Sequence, residues 1–202
     1  MGSQILDIRV VNCGGLRDLM SEMESSFLVS ALGLFRNRED LGRGYPRANV
    51  NLVRAYHSRD FYVAAAAGGD ILHIIGHANG DELEIGVARK RVQAAGVARE
   101  TGKAGGQMAP VVISTGCKLQ SAGWRAGFKA AGAEILIATA NNVTPAALTA
   151  FDMAFYSALL AQVRKGRTLN ERVIESFALA DQHYRAIHAA GTTFAKFTLE
   201  QL

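Results

Sequence analysis

Asp70-Ile71-Leu72-His73-Ile74-Ile75-Gly76-His77 decides how this chain folds. From Ile71 to Ile75 it is almost continuously apolar, as a strand covered on both faces has to be. A second run of the same kind, Val111-Val112-Ile113-Ser114-Thr115, leads into Gly116-Cys117-Lys118-Leu119-Gln120, and a third spans Glu134 to Thr139. Upstream, Ile8 to Asn12 and Asn49 to Tyr56 read as two further strands.

Helix-period segments separate these runs. From Leu16 to Leu34 the apolar positions Leu16, Leu19, Met20, Met23, Phe27, Ala31 and Leu34 keep helical spacing and predict a buried stripe. Asp60 to Ala67 predicts a short helix stopped by Gly68-Gly69, and Val87 to Thr101 a weakly patterned one. Glu82 to Ile85 reads as a hairpin arm. Ser121 is placed to cap a helix carrying Trp124 and Phe128, with Gly132 at its stop. Thr144-Pro145 opens a helix whose Leu148, Phe151, Phe155, Leu159 and Gln162 share a face. Thr168 with Glu171 forms a capping box ahead of Val173, Phe177, Ala180, Tyr184 and Ile187, and two long helices are expected to close the chain. Arg36 to Ala48 and Gly102 to Ala109 read as exposed loops. Such alternation implies an α/β fold: one mostly parallel sheet with helices on both faces, as a single domain over residues 1–202.

The bulk composition agrees. The 202 residues are 49% hydrophobic and 20% charged, enough for one good core. The net charge of +4 includes clusters at Arg36, Arg38, Arg43 and Arg47 and at Arg89, Lys90 and Arg91. Acids lie among them, so a solvated surface is favoured over a nucleic-acid partner. Cys13 and Cys117 are too few for a disulfide framework and point to a reducing compartment. With no apolar run of about 18 residues and no signal-peptide pattern, the expectation is a cytoplasmic protein without a membrane partner.

Ligands of such sheets bind beyond the carboxyl ends of the strands. There the sequence offers His77 and Cys117, each beside a glycine. Neighbouring parallel strands would set them on one rim. A thiol with a reference pKa of ~8.5 is mostly protonated at neutral pH, and an imidazole can take its proton and return it to a leaving amine. A cysteine ahead of a helix also gains thiolate character from the helix N-terminus. On the residues alone, a packed Cys117 and a loop histidine remain the plainer alternative. Cys13 also follows a strand, has no assignable histidine, and reads as packing. Other chemistries fail on spacing. Arg125 lies eight positions after Cys117, too far for a phosphatase loop. Gly96 to Lys103 misses the P-loop pattern, since five residues separate its glycines and Ala104 follows the lysine. A zinc site from His73, His77 and Cys117 is disfavoured because the histidines straddle a strand end.

At these two motifs the sequence resembles the CHAT family, in the caspase, separase and gingipain group of cysteine peptidases. Asp70 to His77 is similar to that family's D-x-x-H-x-x-G-H segment, and Val111 to Cys117 to its apolar strand ending in S-A-C. Gly127, Ala130-Ala131-Gly132-Ala133, Ile135 to Thr139, Phe155-Tyr156 and Leu159-Leu160 follow in the family's order, so the resemblance covers roughly Asp70 to Ala180. It implies a caspase-like, flavodoxin-like three-layer sandwich. It implies His77 and Cys117 as the catalytic dyad, His73 as structural, and an oxyanion hole from the backbone N–H groups of Ala78 and Cys117. Ala78 stands where the family has glycine, which carries a cost if the position needs positive φ. Asn141-Asn142 replaces the family's tryptophan. Thr115, two before the cysteine, is implied to line the substrate pocket with Asn141 and Asn142, and predicts a neutral residue before the cleaved bond unless Asp81 or Glu82 folds in. The implied activity is thioester-mediated cleavage of a protein substrate without metal or cofactor. It is regulated by self-processing or by a separate activator or sensor protein, as in bacterial defence. A non-catalytic interaction module of the same fold is the rival expectation.

Overall fold

The computed structural model describes residues 5–14, 18–33, 47–86, 90–142, 144–161, 167–188 and 196–202. In chain order it forms β1 (Ile5–Asn12), α1 (Leu19–Gly33), β2 (Arg47–Arg54), α2 (Ser58–Ala66), β3 (Ile71–Ile75), β4 (Ala78–Asn79), β5 (Glu82–Ile85) and β6 (Lys90–Gln93). A 3-10 turn at Ala94–Gly96 runs into α3 (Val97–Lys103), followed by β7 (Val111–Ser114), α4 (Ala122–Ala130), β8 (Ile135–Thr139), α5 (Pro145–Ala161), α6 (Leu169–His188) and β9 (Phe197–Gln201).

The main sheet runs β2-β1-β3-β7-β8-β9, while β4, β5 and β6 make a small separate sheet. All pairs in the main sheet are parallel except β8 with β9. From β1 the chain first winds outward to β2 and then returns to β3 on the other side, so the strand order reverses between β1 and β3. This is the topological switch point, where the loops leaving adjacent strands diverge and open a crevice.

Alternation along the strands divides the core in two. Ile71 and Ile75 of β3 join Leu28 and Leu32 of α1, Phe151 and Phe155 of α5, and Val173 and Tyr184 of α6. Leu72 and Ile74 point the other way, to Phe61 of α2, Val97 of α3 and Trp124 and Phe128 of α4. The architecture is the expected caspase-like sandwich, helices above and below a mostly parallel sheet. Caps fall where the sequence puts them. Ser121 Oγ accepts from Trp124 N at 3.2 Å, and Thr168 N donates to Glu171 Oε2 at 2.8 Å while Glu171 N donates to Thr168 Oγ1 at 3.3 Å.

Four expectations are corrected. Residues from Val87 to Thr101 do not form one helix: Lys90–Gln93 is a strand, and only Val97 onward is α-helical. The reason is pairing with β5, which buries Val92 opposite Leu83 and overrides a weak helical pattern. Helix α3 then continues through Lys103, into the segment read as a loop. The chain also closes on a strand, not on helices. β9 has only Phe197 and Leu199 to signal it, and Phe197 stacks on Phe151 with centroids 3.9 Å apart. Finally, α1 turns its apolar stripe outward: Leu19, Met20, Met23 and Phe27 are exposed, and Ser21, Glu24, Ser25, Leu28 and Leu32 are buried. Leu16, Leu34, most of the Arg36 to Ala48 loop, Arg89 and Gln162 lie outside the described residues, as does the side chain of Ile187. Among the described residues, no helix is long and apolar enough to cross a membrane.

Candidate active site

β3 and β7 are adjacent and parallel, with His73 opposite Ile113 and Ile74 opposite Ser114. His77 and Cys117 each lie four positions beyond the first of these pairs, so they leave the sheet at the same level. Thr115 N donates to Ile74 O at 3.0 Å, and a Cβ added to Gly116 would stand 3.2 Å from Gly76 O, so the two loops touch. Gly76 has no room for a side chain either: its Cβ would fall 2.9 Å from Cys13 Cβ. That cysteine is fully buried, and burial pushes its thiol far up, so it stays protonated. Cys13 is packing, as expected. Cys117 is partly exposed and free.

The sequence reading missed Asp18. His77 Nε2 meets Asp18 Oδ2 at 2.8 Å, with the histidine side chain 61% exposed and the aspartate 12%. This contact engages Nε2 and leaves Nδ1 as the other ring nitrogen. Asp18 is fixed in turn as the cap of α1, its Oδ1 accepting from Met20 N and Ser21 N at 3.2 and 3.3 Å and its Oδ2 from Ser21 Oγ at 2.6 Å. Partial burial pushes this carboxyl up, but the bonds from Ser21 and the charge and hydrogen bond of His77 outweigh it and hold the group below its ordinary range. Asn12, buried at the end of β1, ties the helix start to the sheet by donating to Ser21 O, Glu22 Oε1 and Ser25 Oγ at 3.2, 3.0 and 3.0 Å. Aspartate ahead of a helix carries a capping signal, and its place beyond the first strand at the switch point was the available clue.

The turn between β4 and β5 is tied to the start of α4. Trp124 Nε1 donates to Gly80 O at 2.8 Å, and Ser121 Oγ donates to Asp81 Oδ1. The N-terminus of α4 is therefore faced by the Asp81 carboxylate, and Cys117 lies four positions before the Ser121 cap. Glu84 N donates to His77 O at 2.8 Å, so by antiparallel alternation the Ala78–Leu83 pair is a non-bonded one and Ala78 N–H faces away from β5. Ala78 is not at positive φ; the only non-glycine residue there among those described is Lys118, at 59°. The strain expected at Ala78 falls instead on the residue after the cysteine.

Thr115 is buried and its hydroxyl lies 3.3 Å from Ile74 O. Asn141 and Asn142 are exposed beyond β8. Thr139 Oγ1 lies 3.2 Å from both Gly116 O and Asn141 O, so Asn141 is brought against the cysteine loop through its backbone. Asp81 and Glu82 do not fold into the site: Asp81 is held by Ser121, and Glu82 by Arg91 and Gln93. His73 does not join His77 and Cys117: it is fully buried and bonded through Nδ1 to the Tyr156 hydroxyl at 2.8 Å. Burial holds its pKa down to about 3, so the ring is neutral.

No family model and no curated protein matches the sequence. Solved structures match the fold throughout. A secreted C11 cysteine protease from Bacteroides thetaiotaomicron superposes with a TM-score of 0.65 at 11% identity, covering 100% of this chain and 67% of its own. An inactive zymogen C11 protease from Parabacteroides distasonis gives 0.57 at 9% identity, covering 100% of this chain and 62% of its own. Separase from Saccharomyces cerevisiae, in its complex with securin, gives 0.52 at 13% identity, covering 98% of this chain and 12% of its own. The fold of this chain is that of the caspase-like cysteine proteases.

Proposed function

We propose that the chain is a cysteine endopeptidase in which Cys117 is the nucleophile, His77 moves the proton and Asp18 positions the histidine. The supporting observation is the 2.8 Å contact of His77 Nε2 with Asp18, beside a cysteine that leaves the adjacent strand at the same level. In this reading Nδ1 takes the thiol proton, and Sγ attacks the peptide carbonyl. The oxyanion forms against the N–H groups of Ala78 and Cys117. Histidine then protonates the departing amine, and water hydrolyses the thioester. Thr115, Asn141 and Asn142 border the pocket for the residue before the cut and select a neutral side chain. No metal or cofactor takes part in these steps. The CHAT resemblance supports a single catalytic domain over residues 1–202, a protein substrate, and control by self-processing or a separate activator or sensor in a cytoplasmic defence pathway.

A thiol-directed peptide electrophile tests the reading. Cys117 should be labelled far faster than buried Cys13, and Cys117→Ala and His77→Ala should each reduce peptide cleavage to near background, with a double mutant little worse than either. Substantial turnover by folded Cys117→Ala protein would sink the mechanism. A chain in which Cys117 reacts no faster than an ordinary thiol, even with its activator, would be the non-catalytic module.

A further inference from the structure

Behind the site, on the α1 and α5 side of the sheet, three titratable side chains meet with polar atoms left unpartnered. They are Glu24 of α1, His73 of β3 and Asp152 of α5, with one donor atom from each within 4.8 Å of the others. All three are more than nine-tenths buried, at 7%, 0% and 2% exposure. Glu24 Oε1, His73 Nε2 and both oxygens of Asp152 accept or donate no hydrogen bond. His73 Nε2 stands 3.6 Å from Asp152 Oδ2, beyond hydrogen-bonding range. Buried polar atoms are nearly always satisfied, and four orphans facing one point need a common explanation.

We infer that Glu24, His73 and Asp152 form a binding site for one divalent transition-metal ion, zinc being the best match. Two carboxylates cancel the ion's charge, and a mixed imidazole and carboxylate set suits zinc or manganese better than calcium or magnesium. Donors at about 2 Å from one zinc stand on the order of 3.3 Å apart at the tetrahedral angle, so the cluster would have to contract by up to about 1.5 Å around the ion. The outer shell is in place. The Tyr156 hydroxyl at His73 Nδ1 fixes the ring so that Nε2 can bind. The Thr115 hydroxyl beside Glu24 favours its charged form. Among the described residues no cation contributes to holding Glu24 or Asp152 charged. Burial, offset by Thr115 and reinforced by Asp18, pushes Glu24 up to about 7, and burial with Glu24 raises Asp152. The ion would join α1, β3 and α5 six positions along α1 from Asp18, making it a structural clamp on the helix that positions His77.

The test uses Cys117→Ala protein, which removes the thiol that could hold zinc at the rim and makes the outcome independent of peptidase activity. After chelation and titration with zinc sulfate, one zinc per chain should survive gel filtration, and the melting temperature should rise by several degrees. Cobalt(II) should give visible d–d bands with no thiolate charge-transfer band. Tyr156→Phe should weaken binding by about 10–100-fold, as loss of an outer-shell partner does, and Glu24→Gln and Asp152→Asn by more. Glu24→Gln should be at least as stable as its parent in chelator and less stable in zinc, a crossover that a purely packing role does not produce. Failure to retain stoichiometric zinc, or equal affinity in Glu24→Gln and Asp152→Asn proteins, overturns the inference.

Discussion

Helices α1 and α5 pack on the same face of the sheet and are held there by opposite means. α5 obeys its pattern: Leu148, Phe151, Phe155 and Leu159 are buried, with Phe151 sandwiched among Phe197, Phe177 and Tyr184. α1 inverts its pattern. Leu19 and Met23 are 68% and 58% exposed, while Ser21, Glu24 and Ser25 face the sheet and bond to Asn12 or border Asp152 and Thr115. On α1 the inward side is polar, tied at the helix start by the bonds Asn12 makes to Ser21, Glu22 and Ser25. The inward side of α5 is mainly aromatic and aliphatic, and also carries the buried Asp152 and Tyr156.

The largest expected effect breaks the comparison on the α5 side. Phe151→Ala should cost about 3–5 kcal/mol in urea unfolding, since truncating a buried phenyl ring leaves a cavity among rigid neighbours. A loss under about 1 kcal/mol would mean that the aromatic cluster does not anchor α5. On the α1 side, Asp18→Asn should lower kcat/KM by about 10–100-fold through kcat, because the amide no longer stabilises the imidazolium. Asparagine caps as well as aspartate, so stability at neutral pH should change by less than about 1 kcal/mol. The folded pKa of Asp18 is depressed, so its stabilising charge is present above the ordinary carboxylate range and lost as pH falls through the folded value. Any stability advantage over Asp18→Asn should therefore be constant above about pH 5 and shrink in acid. Unchanged kcat in a folded variant would remove Asp18 from the site.

Asn12→Ala should cost about 1–3 kcal/mol by leaving buried acceptors on α1 unpaired, and should also lower kcat by loosening the Asp18 end of the helix. A stability loss with kcat intact would separate the helix anchor from the site. The smallest effect belongs to the inverted stripe. Phe27→Ser lies on an exposed face and should change stability by less than about 0.5 kcal/mol, against the several expected at Phe151. A loss near that of Phe151→Ala would show that the outward face of α1 is covered in solution.

The strand–helix alternation, the two capped helices and the rim carrying His77 and Cys117 were legible in the sequence. Each depends on local pattern: continuous apolar runs, glycine at strand ends, and a cap one residue ahead of a helix. Continuously apolar strands admit few arrangements other than a sheet covered on both faces, so adjacency of β3 and β7 followed. Asp18 was not legible because its contact is with His77, 59 residues downstream, beyond a strand wound back beside β1, and no local signal distinguishes it from an ordinary cap. The same holds for the strand β6, drawn from a helical reading by pairing with β5, and for β9, recruited by the free edge of β8 and the face of Phe151. The face of α1 was the clearest failure of periodicity. Spacing reports which residues share a side of a helix, but only the tertiary structure decides which side turns inward. Here buried hydrogen bonds and one capping aspartate outweighed four apolar side chains.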